Sequence, residues 1–407
     1  MQMRGYAVIT VSYWGFTLTD GALRMLVLLH FHTLGYTPLD LALLFLLYEF
    51  FGVVTNLFGG WIGSRVGLRR TLFAGLALQV VALVMLSGVD PTWVRWLSVG
   101  YVMAAQALSG IAKDLTKLSS KSAVKLLVPD DDDSRFFRWV AWLTGSKNAL
   151  KGLGFLMGGV LLGSTGFAAS LWVMAGALTL ALIGATATLR GDLGKSKSSA
   201  PFTQILSKSY EINVLSTARF CLFGARDVWF AVGLPLFLYD VAGWSFTGVG
   251  GFLSVWVVGY GAVQAAAPRL LQRYGGAASA SRHAQTWGFA LAVVAAAIAA
   301  AVSAGFYSIV SVVGGLALFG IVFAVNSSVH SYLILAYTDA DRVAANVGFY
   351  YMANAAGRLV GTLLSGALYL AGGLSACLWG STLLVLAAAA LALALPSVRP
   401  DPAMRPA

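Results

Sequence analysis

A few charged side chains of this sequence lie inside long runs of apolar residues, where charge is rare. Five of them are cationic: Arg24, Lys147, Lys151, Arg226 and Arg358. An arginine binds a phosphate-like oxyanion through two parallel hydrogen bonds, and a lysine contributes a compact positive charge. Lys147 and Lys151 are four residues apart, so both would lie on one face of a helix. These residue types predict a binding site for an anion rather than a catalytic centre.

Three carboxylates lie in similar runs: Asp20, Glu49 and Asp227. A buried carboxylate that no cation neutralises is suited to carry a proton. Asp20 stands four residues before Arg24, and we expect these two to pair, which makes Glu49 the better proton carrier. Asp20 and Asp227 are also candidates for proton coupling, and a buried ion pair is the alternative role for each carboxylate. We expect Asp227 to neutralise Arg226 or a partner on another helix.

Positive charge exceeds negative charge within the apolar runs. With Arg219 included, six cations face three anions, which leaves three positive charges without a partner. Such charges are costly in a medium of low dielectric, and an anionic substrate would compensate them. Arg219 is nearer to a helix end, so an ion pair or a position at the membrane interface explains it equally well.

Other polar residues would contact a substrate, form a gate or serve packing alone. Lys113 and Lys117 are the first two of a series of lysines that recur every four residues near the predicted cytoplasmic end of their apolar run. Their role stays open. The remaining candidates are Asn326, His330 and Asn354, together with two histidines that are either interface or gate residues, His30 and His32.

The elements that position these residues must be membrane helices. Of 407 residues, 58% are hydrophobic and only 11% are charged, whereas soluble domains carry about a quarter charged residues. Unbroken apolar runs such as 383–395 favour helices over a β-barrel, whose strands alternate in polarity. The composition therefore excludes a secreted, nuclear or ordinary cytoplasmic enzyme. The net charge of +11 is explained by basic loops, and we expect no nucleic acid partner.

The apolar runs predict twelve spans of the length that a bilayer requires. They cover residues 6–32, 38–63, 71–89, 96–118, 138–163, 168–189, 211–238, 247–270, 284–304, 306–336, 343–370 and 374–396. A polar segment rich in Ser and Lys separates the first six from the last six, as expected of a flexible linker. We predict a six-helix bundle over 1–190, a cytoplasmic linker over 191–210, a second six-helix bundle over 211–396 and a cytoplasmic tail over 397–407.

Lysine and arginine concentrate in the connections on one side of these spans, which predicts that this side is cytoplasmic. Both termini then lie in the cytoplasm, and the protein is a multi-pass protein of the cytoplasmic (inner) membrane. We expect no cofactor, metal site or catalytic residue. Cys221 and Cys377 lie far apart in apolar runs and offer neither a zinc spacing nor a disulfide framework.

The connection between the second and third spans reads GGWIGSRVGLRR. It resembles the signature loop of the major facilitator superfamily, Gly-x-x-x-Asp-Arg-x-Gly-x-Arg-Arg, with Ser64 at the usual Asp position. The matching residues are Gly60, Arg65, Gly67, Arg69 and Arg70. The resemblance implies an all-α transporter fold of two six-helix bundles and assigns this loop to gating. The Asp-to-Ser departure puts the usual charge relay of the loop in doubt.

Residues 13–63, 104–129 and 143–162 are similar to the ArsJ family of organoarsenical efflux transporters. This resemblance is dense in the N-terminal half and more diffuse in the C-terminal half. It implies export of 1-arseno-3-phosphoglycerate, a multiply anionic ester that a companion glyceraldehyde-3-phosphate dehydrogenase makes from arsenate. The ester hydrolyses outside the cell, so arsenate is removed.

The sequence therefore predicts secondary active efflux of this anion by alternating access. The alternative is an antiporter or symporter of the same fold for another organic anion, such as an organophosphate or a sugar acid. A transport-inactive receptor would be expected to carry a long soluble signalling domain, and an enzyme would need a concentrated His, Asp or Ser constellation. The sequence shows neither feature.

Overall fold

The regular elements of this chain are helical in every range that the computed structural model describes, which are residues 2–127, 133–189, 209–272, 279–305, 309–338 and 343–396. The helices are α1 (Gln2–Thr33), α2 (Pro38–Leu44), α3 (Leu46–Val66), α4 (Leu68–Ser87), α5 (Arg95–Leu127), α6 (Asp133–Thr165), α7 (Phe167–Thr188), α8 (Tyr210–Phe230), α9 (Gly233–Leu236), α10 (Phe246–Gln272), α11 (Ala280–Ser303), α12 (Ile309–Ala336) and α13 (Val343–Leu393).

Each of the twelve predicted spans has a helical counterpart in the described structure. The second span is formed by α2 and α3, which meet at Phe45. The seventh is formed by α8, α9 and a π-helical segment, Phe237–Val241. The last two spans are joined in α13, which is interrupted by non-helical backbone at Gly372 and Gly373. Gly373 adopts a φ of +62°, a conformation that glycine reaches without a steric penalty.

Eight of the helical segments in the described ranges are long and apolar enough to cross a membrane. The long helices outside this set are α1, α5 and α6, and they carry many of the charged residues singled out above. Asp20 and Arg24 lie on α1, and Lys147 and Lys151 lie on α6. Their lower apolarity is therefore a consequence of the same charges that suggest a binding site.

The chain divides into two compact units. Unit 1 comprises Met1–Ala200 with Leu238–Val258, and unit 2 comprises Pro201–Phe237 with Gly259–Ala407. In unit 1, α1 packs against α5, α6 and α7, while α4 packs against α5 and α7. In unit 2, α13 packs against α8 and α11, and α11 packs against α12. The predicted tail and nearly all of the predicted linker fall outside the described residues, so those boundaries stay predictions.

The helices α1 and α6 approach each other closely through glycine. A methyl group added at Gly154 would lie 2.5 Å from the carbonyl oxygen of Leu18, and one added at Gly158 would lie 2.5 Å from that of Ala22. Such small residues let two helix backbones come into direct contact within a membrane. This α1–α6 contact places Asp20 and Arg24 beside α6.

The helices α8 and α13 repeat this arrangement in unit 2. A methyl group added at Gly361 would lie 2.5 Å from the carbonyl oxygen of Gly224, and one at Gly357 would overlap the carbonyl oxygen of Phe220. The carbonyl positions 18 and 22 become 220 and 224 on adding 202, and the glycine positions 154 and 158 become 357 and 361 on adding 203. The α8–α13 contact therefore has the same register as the α1–α6 contact.

Candidate functional site

Arg24 pairs with Glu49 in unit 1. Its Nη1 atom donates a hydrogen bond to Glu49 Oε1 over 3.0 Å, and the side chains are 9% and 1% exposed. The guanidinium also lies over the ring of Phe45, 4.9 Å from its centroid. The expected pairing of Arg24 with Asp20 on the same helix is therefore wrong. Arg24 pairs with Glu49 on α3 instead, because the Arg24 side chain extends from α1 across the interface between the two helices.

Asp20 has different partners. Tyr48 donates its hydroxyl hydrogen to Asp20 Oδ1 over 2.6 Å, and Lys151 Nζ stands 4.0 Å from Asp20 Oδ2. The argument that favoured Glu49 over Asp20 as a proton carrier assumed that Arg24 neutralises Asp20, so it is reversed by this geometry. Glu49 is the carboxylate in direct contact with an arginine, while Asp20 has a phenol and a more distant ammonium group.

A small cavity of about 10 Å³ lies beside these residues and is lined by Asp20, Leu23, Arg24, Phe45, Tyr48 and Gln106. That volume is roughly the space that one water molecule needs. Gln106 is 1% exposed, and its Nε2 atom donates no hydrogen bond. In this conformation the cavity brings a carboxylate, a guanidinium and an amide together without room for an organic anion.

Two lysines of α5, Lys113 and Lys117, contact residues of α3. Lys113 Nζ lies 4.0 Å from the centroid of the Tyr48 ring. Lys117 donates to Asn56 over 3.2 Å and stands 3.7 Å from Asp114. Asp114 is 7% exposed and accepts a hydrogen bond from Thr55. Lys113 extends the polar surface around Tyr48, whereas Lys117 pairs locally.

Lys147 lies on α6 one turn before Lys151, and both side chains are half-buried. The expected common helix face is thus present. The structure places Lys151 near another candidate, Asp20.

In unit 2, two arginines donate hydrogen bonds to the same carboxylate. Arg226 Nε donates to Asp227 Oδ1 over 2.6 Å, and Arg358 Nε donates to Asp227 Oδ2 over 3.1 Å. Asp227 is 1% exposed. The sequence left open whether Asp227 pairs with its neighbour or with another helix, and the structure shows both. The formal charge of this Arg226–Asp227–Arg358 group is +1.

Arg219 was not among the favoured site residues, yet it lies at the centre of a polar group in unit 2. Its Nε atom donates to Asn354 Oδ1, and its Nη1 atom donates to the carbonyl and hydroxyl oxygens of Ser327, each over 3.0 Å. Position near a helix end suggested an interface residue, but Arg219 is only 4% exposed. Its place within an apolar run was the signal that could have found it.

Two of the predicted α12 residues are fully buried in unit 2. Asn326 and His330 are each 1% exposed, and the Asn326 Oδ1 and His330 Nδ1 atoms make no hydrogen bond. Asn354 is engaged by Arg219. The neutral partners Tyr48 and Gln106 were missed because nothing in their residue type distinguishes them from packing residues.

The gating-loop residues lie at the junction of α3 and α4. Gly67 precedes α4 with a φ of +89°, which favours glycine. Arg69 donates to the carbonyl oxygen of Leu189 at the end of α7 over 3.3 Å, and Arg70 is exposed. Positions 59–66 belong to α3 by their backbone, but details around Gly60 and the side chain of Arg65 lie outside what the structure describes.

The two histidines near the end of α1 have distinct surroundings. His30 stacks on the ring of Phe167 at a centroid distance of 4.0 Å. His32 Nε2 lies 2.8 Å from Asp240 Oδ1, on the π-helical segment. Both contacts fall within unit 1, and they connect α1 to α7 and to the segment that precedes α10.

Chemically, both units present buried or half-buried arginine and lysine beside few carboxylates. Planar guanidinium groups with fixed donors suit oxyanions. The described carboxylates could exchange a proton, and the aromatic rings around the arginines exclude water.

The amino-acid sequence matches the Major Facilitator Superfamily over residues 6–328. A comparison with curated proteins finds no significant match. Among solved structures, the chain is similar to a POT family transporter in complex with a thioalcohol-conjugated peptide (TM-score 0.72, 14% identity, 95% of this chain and 94% of that chain). It is also similar to the nucleoside transporter NupG (TM-score 0.73, 15% identity, 96% and 98%).

A further similar structure is a POT family transporter in complex with 5-aminolevulinic acid (TM-score 0.74, 15% identity, 95% and 94%). At these identities the likeness concerns the fold, and it agrees with the all-α architecture described above. The family match covers most of the chain. The chain therefore belongs to the major facilitator superfamily and is a multi-pass membrane transporter.

Proposed function

We propose that this transporter exports an organic anion, and specifically the organoarsenical 1-arseno-3-phosphoglycerate. The observation that carries the proposal is the grouping of arginines in unit 2. Arg226 and Arg358, both half-buried, donate to one carboxylate, that of Asp227, and the buried Arg219 contacts no carboxylate among the described residues. A protein that buries such charge without function would be destabilised by its desolvation, so an anionic cargo is the natural counter-charge.

The identity of the cargo is supported by the resemblance of residues 13–63, 104–129 and 143–162 to the ArsJ family. The phosphate and arsenate groups of 1-arseno-3-phosphoglycerate are suited to hydrogen bonds from the guanidinium and ammonium groups described above. On this proposal the protein is an antiporter of the inner membrane with cytoplasmic termini, and glyceraldehyde-3-phosphate dehydrogenase is its functional partner. Another organic anion, such as an organophosphate or a sugar acid, would be bound by the same cations.

Transport is proposed to follow alternating access, which is the general mechanism of such repeat-built transporters. Proton coupling is assigned to the carboxylates Asp20, Glu49 and Asp227, with Asp20 first. Asp20 lines the small cavity and has no arginine in contact among the described residues. Glu49 and Asp227 each accept a hydrogen bond from an arginine.

The test is arsenate survival of arsenic-sensitive cells that express this protein, with and without the dehydrogenase. Protection that requires both proteins is the expected result. Protection without the dehydrogenase would contradict the ester as cargo and favour direct arsenate efflux. Absence of protection in both strains, with the protein present in the membrane, would leave another organic anion as the cargo.

The binding residues are tested by Arg226→Ala and Lys147→Ala. Both variants should reach the membrane and lose export, because each removes a cation proposed to contact the anion. Arg282→Ala is the matched control, since Arg282 is exposed at the start of α11. Normal export by both variants would contradict the proposal that Arg226 and Lys147 bind the transported anion.

A further inference from the structure

We infer that Arg219 forms an anion subsite in unit 2, separate from the Arg226–Asp227–Arg358 group, that binds a single oxyanion group of the cargo. The inference rests on the proposed function, since it names a second place where the transported anion is held. Its starting point is the comparison of buried arginines within this chain. Arg24 and Arg226 each donate to a carboxylate, whereas the described contacts of Arg219 include none.

The hydrogen bonds of Arg219 use only part of its donor set. Nε donates to the amide oxygen of Asn354, and Nη1 donates twice to Ser327. The Nη2 amino group makes no hydrogen bond in the described structure. An arginine presents five N–H donors, so the two on Nη2, which lie in the guanidinium plane, are available to an oxyanion.

Aromatic rings hold this guanidinium without neutralising it. Its Cζ atom lies 4.0 Å from the ring centroid of Phe223 and 5.0 Å from that of Tyr350. Cation–π contacts stabilise a cation and leave its formal charge in place. The rings also hold the guanidinium plane in one orientation, which fixes the direction in which the Nη2 group donates to a carboxylate, phosphate or arsenate oxygen.

Further polar groups lie near Ser327, the residue to which Arg219 donates two hydrogen bonds. Tyr260 Oη and Gln264 Nε2 lie 3.4 and 3.5 Å from the Ser327 hydroxyl oxygen. His330, one helical turn after Ser327, is 1% exposed and its Nδ1 atom has no hydrogen-bond partner. A buried cation, neutral donors and an unpartnered imidazole nitrogen form a site for an anion rather than for a cation.

The subsite is tested by anion binding to the purified full-length protein in detergent. The probes are 3-phosphoglycerate and inorganic phosphate, and the readout is the concentration that half-saturates the rise in melting temperature. Arg219→Gln should weaken the apparent affinity for 3-phosphoglycerate by about tenfold or more, because a hydrogen bond to a charged group is lost. The apparent affinity of Arg219→Lys should lie between those of Arg219→Gln and the wild type, since lysine keeps the positive charge and lacks the planar guanidinium donors.

Arg282→Gln is the matched control and should bind like the wild type, because Arg282 is exposed. If Arg219→Gln does not fold, Arg219→Lys and Ser327→Ala decide the question in the same assay. Wild-type affinity in the folded Arg219 variants would overturn the subsite and leave the proposed function standing. A wild-type protein that responds to neither anion would overturn the subsite together with the proposed anion export.

Discussion

Arg24 and Arg226 occupy corresponding positions in the two glycine-mediated helix contacts, since 24 becomes 226 on adding the same 202 that relates α1 to α8. Their counter-charges nevertheless differ. Arg24 has its own carboxylate, Glu49, whereas Arg226 shares Asp227 with Arg358. Position 358 corresponds to Phe155 in unit 1 on adding 203. The extra positive charge of the Arg226–Asp227–Arg358 group therefore comes from Arg358, because unit 1 has Phe155 at the corresponding position.

Asp227→Asn should strongly destabilise the protein, because Arg226 and Arg358 would both lose the carboxylate that they share. Removal of one partner from a buried ion pair costs about 3–5 kcal/mol. The measurement is the melting temperature of the purified protein in detergent. The control is Asp90→Asn, which alters an exposed loop carboxylate bonded to Thr92 and should leave the melting temperature unchanged. Equal melting temperatures for both variants would show that Asp227 is not needed to hold the arginines.

Asp20→Asn should separate proton coupling from binding. In everted vesicles, the wild type should accumulate cargo faster when a pH gradient is imposed, and the variant should lose that stimulation while retaining anion exchange. Tyr48 donates its hydrogen to Asp20, so an amide oxygen can still accept this bond and the local structure should persist.

Glu49→Gln gives the contrast. Because it removes the negative charge that is paired with Arg24, its expected effect is a lower melting temperature with coupling retained in the folded fraction. Stimulation by the pH gradient that survives in Asp20→Asn and disappears in folded Glu49→Gln would restore Glu49 as the proton carrier.

At the scale of elements, close contacts between helix backbones bring the charged residues together. The α1–α6 contact brings Lys151 near Asp20, and the α8–α13 contact brings Arg358 to Asp227. The closely spaced glycines of the fifth predicted span, at positions 152, 154, 158, 159 and 163, favour close helix packing, but their spacing does not identify the partner helix. Side-chain direction decides that question, and it depends on the helix crossing rather than on spacing along one chain segment.

Gly158→Ala should destabilise unit 1, because the added methyl group would lie 2.5 Å from the Ala22 carbonyl oxygen. Overpacking of this kind costs about 1–3 kcal/mol. The same substitution at Gly163, on the same helix, meets nothing within 4 Å and should be neutral or slightly stabilising. Melting temperatures of the two variants test the contact. Equal melting temperatures for the two variants would show that the approach of Gly158 to Ala22 does not limit stability.

At the scale of the whole molecule, the sequence was sufficient for the helices and insufficient for their pairings. Every predicted span has a helical counterpart because apolar length and charged interruptions are local properties. The break at Phe45 lies inside a predicted span, where no polar residue marks it. The π-helical segment begins inside the seventh span and continues beyond its predicted end at residue 238. The pairing of Arg24 was predicted wrongly because a neighbour four residues away was preferred to a carboxylate on another helix.

The direction of transport depends on the orientation of the chain, which the basic loops predict and cysteine labelling can measure. The native cysteines, Cys221 and Cys377, are buried, so their background labelling should be low. Thr92→Cys, in the exposed connection between α4 and α5, should react with an impermeant maleimide in intact cells. Arg282→Cys, exposed at the start of α11, should react only after the membrane is opened. The reverse pattern would place the basic connections outside, against the positive-inside rule, and would contradict the proposed cytoplasmic termini.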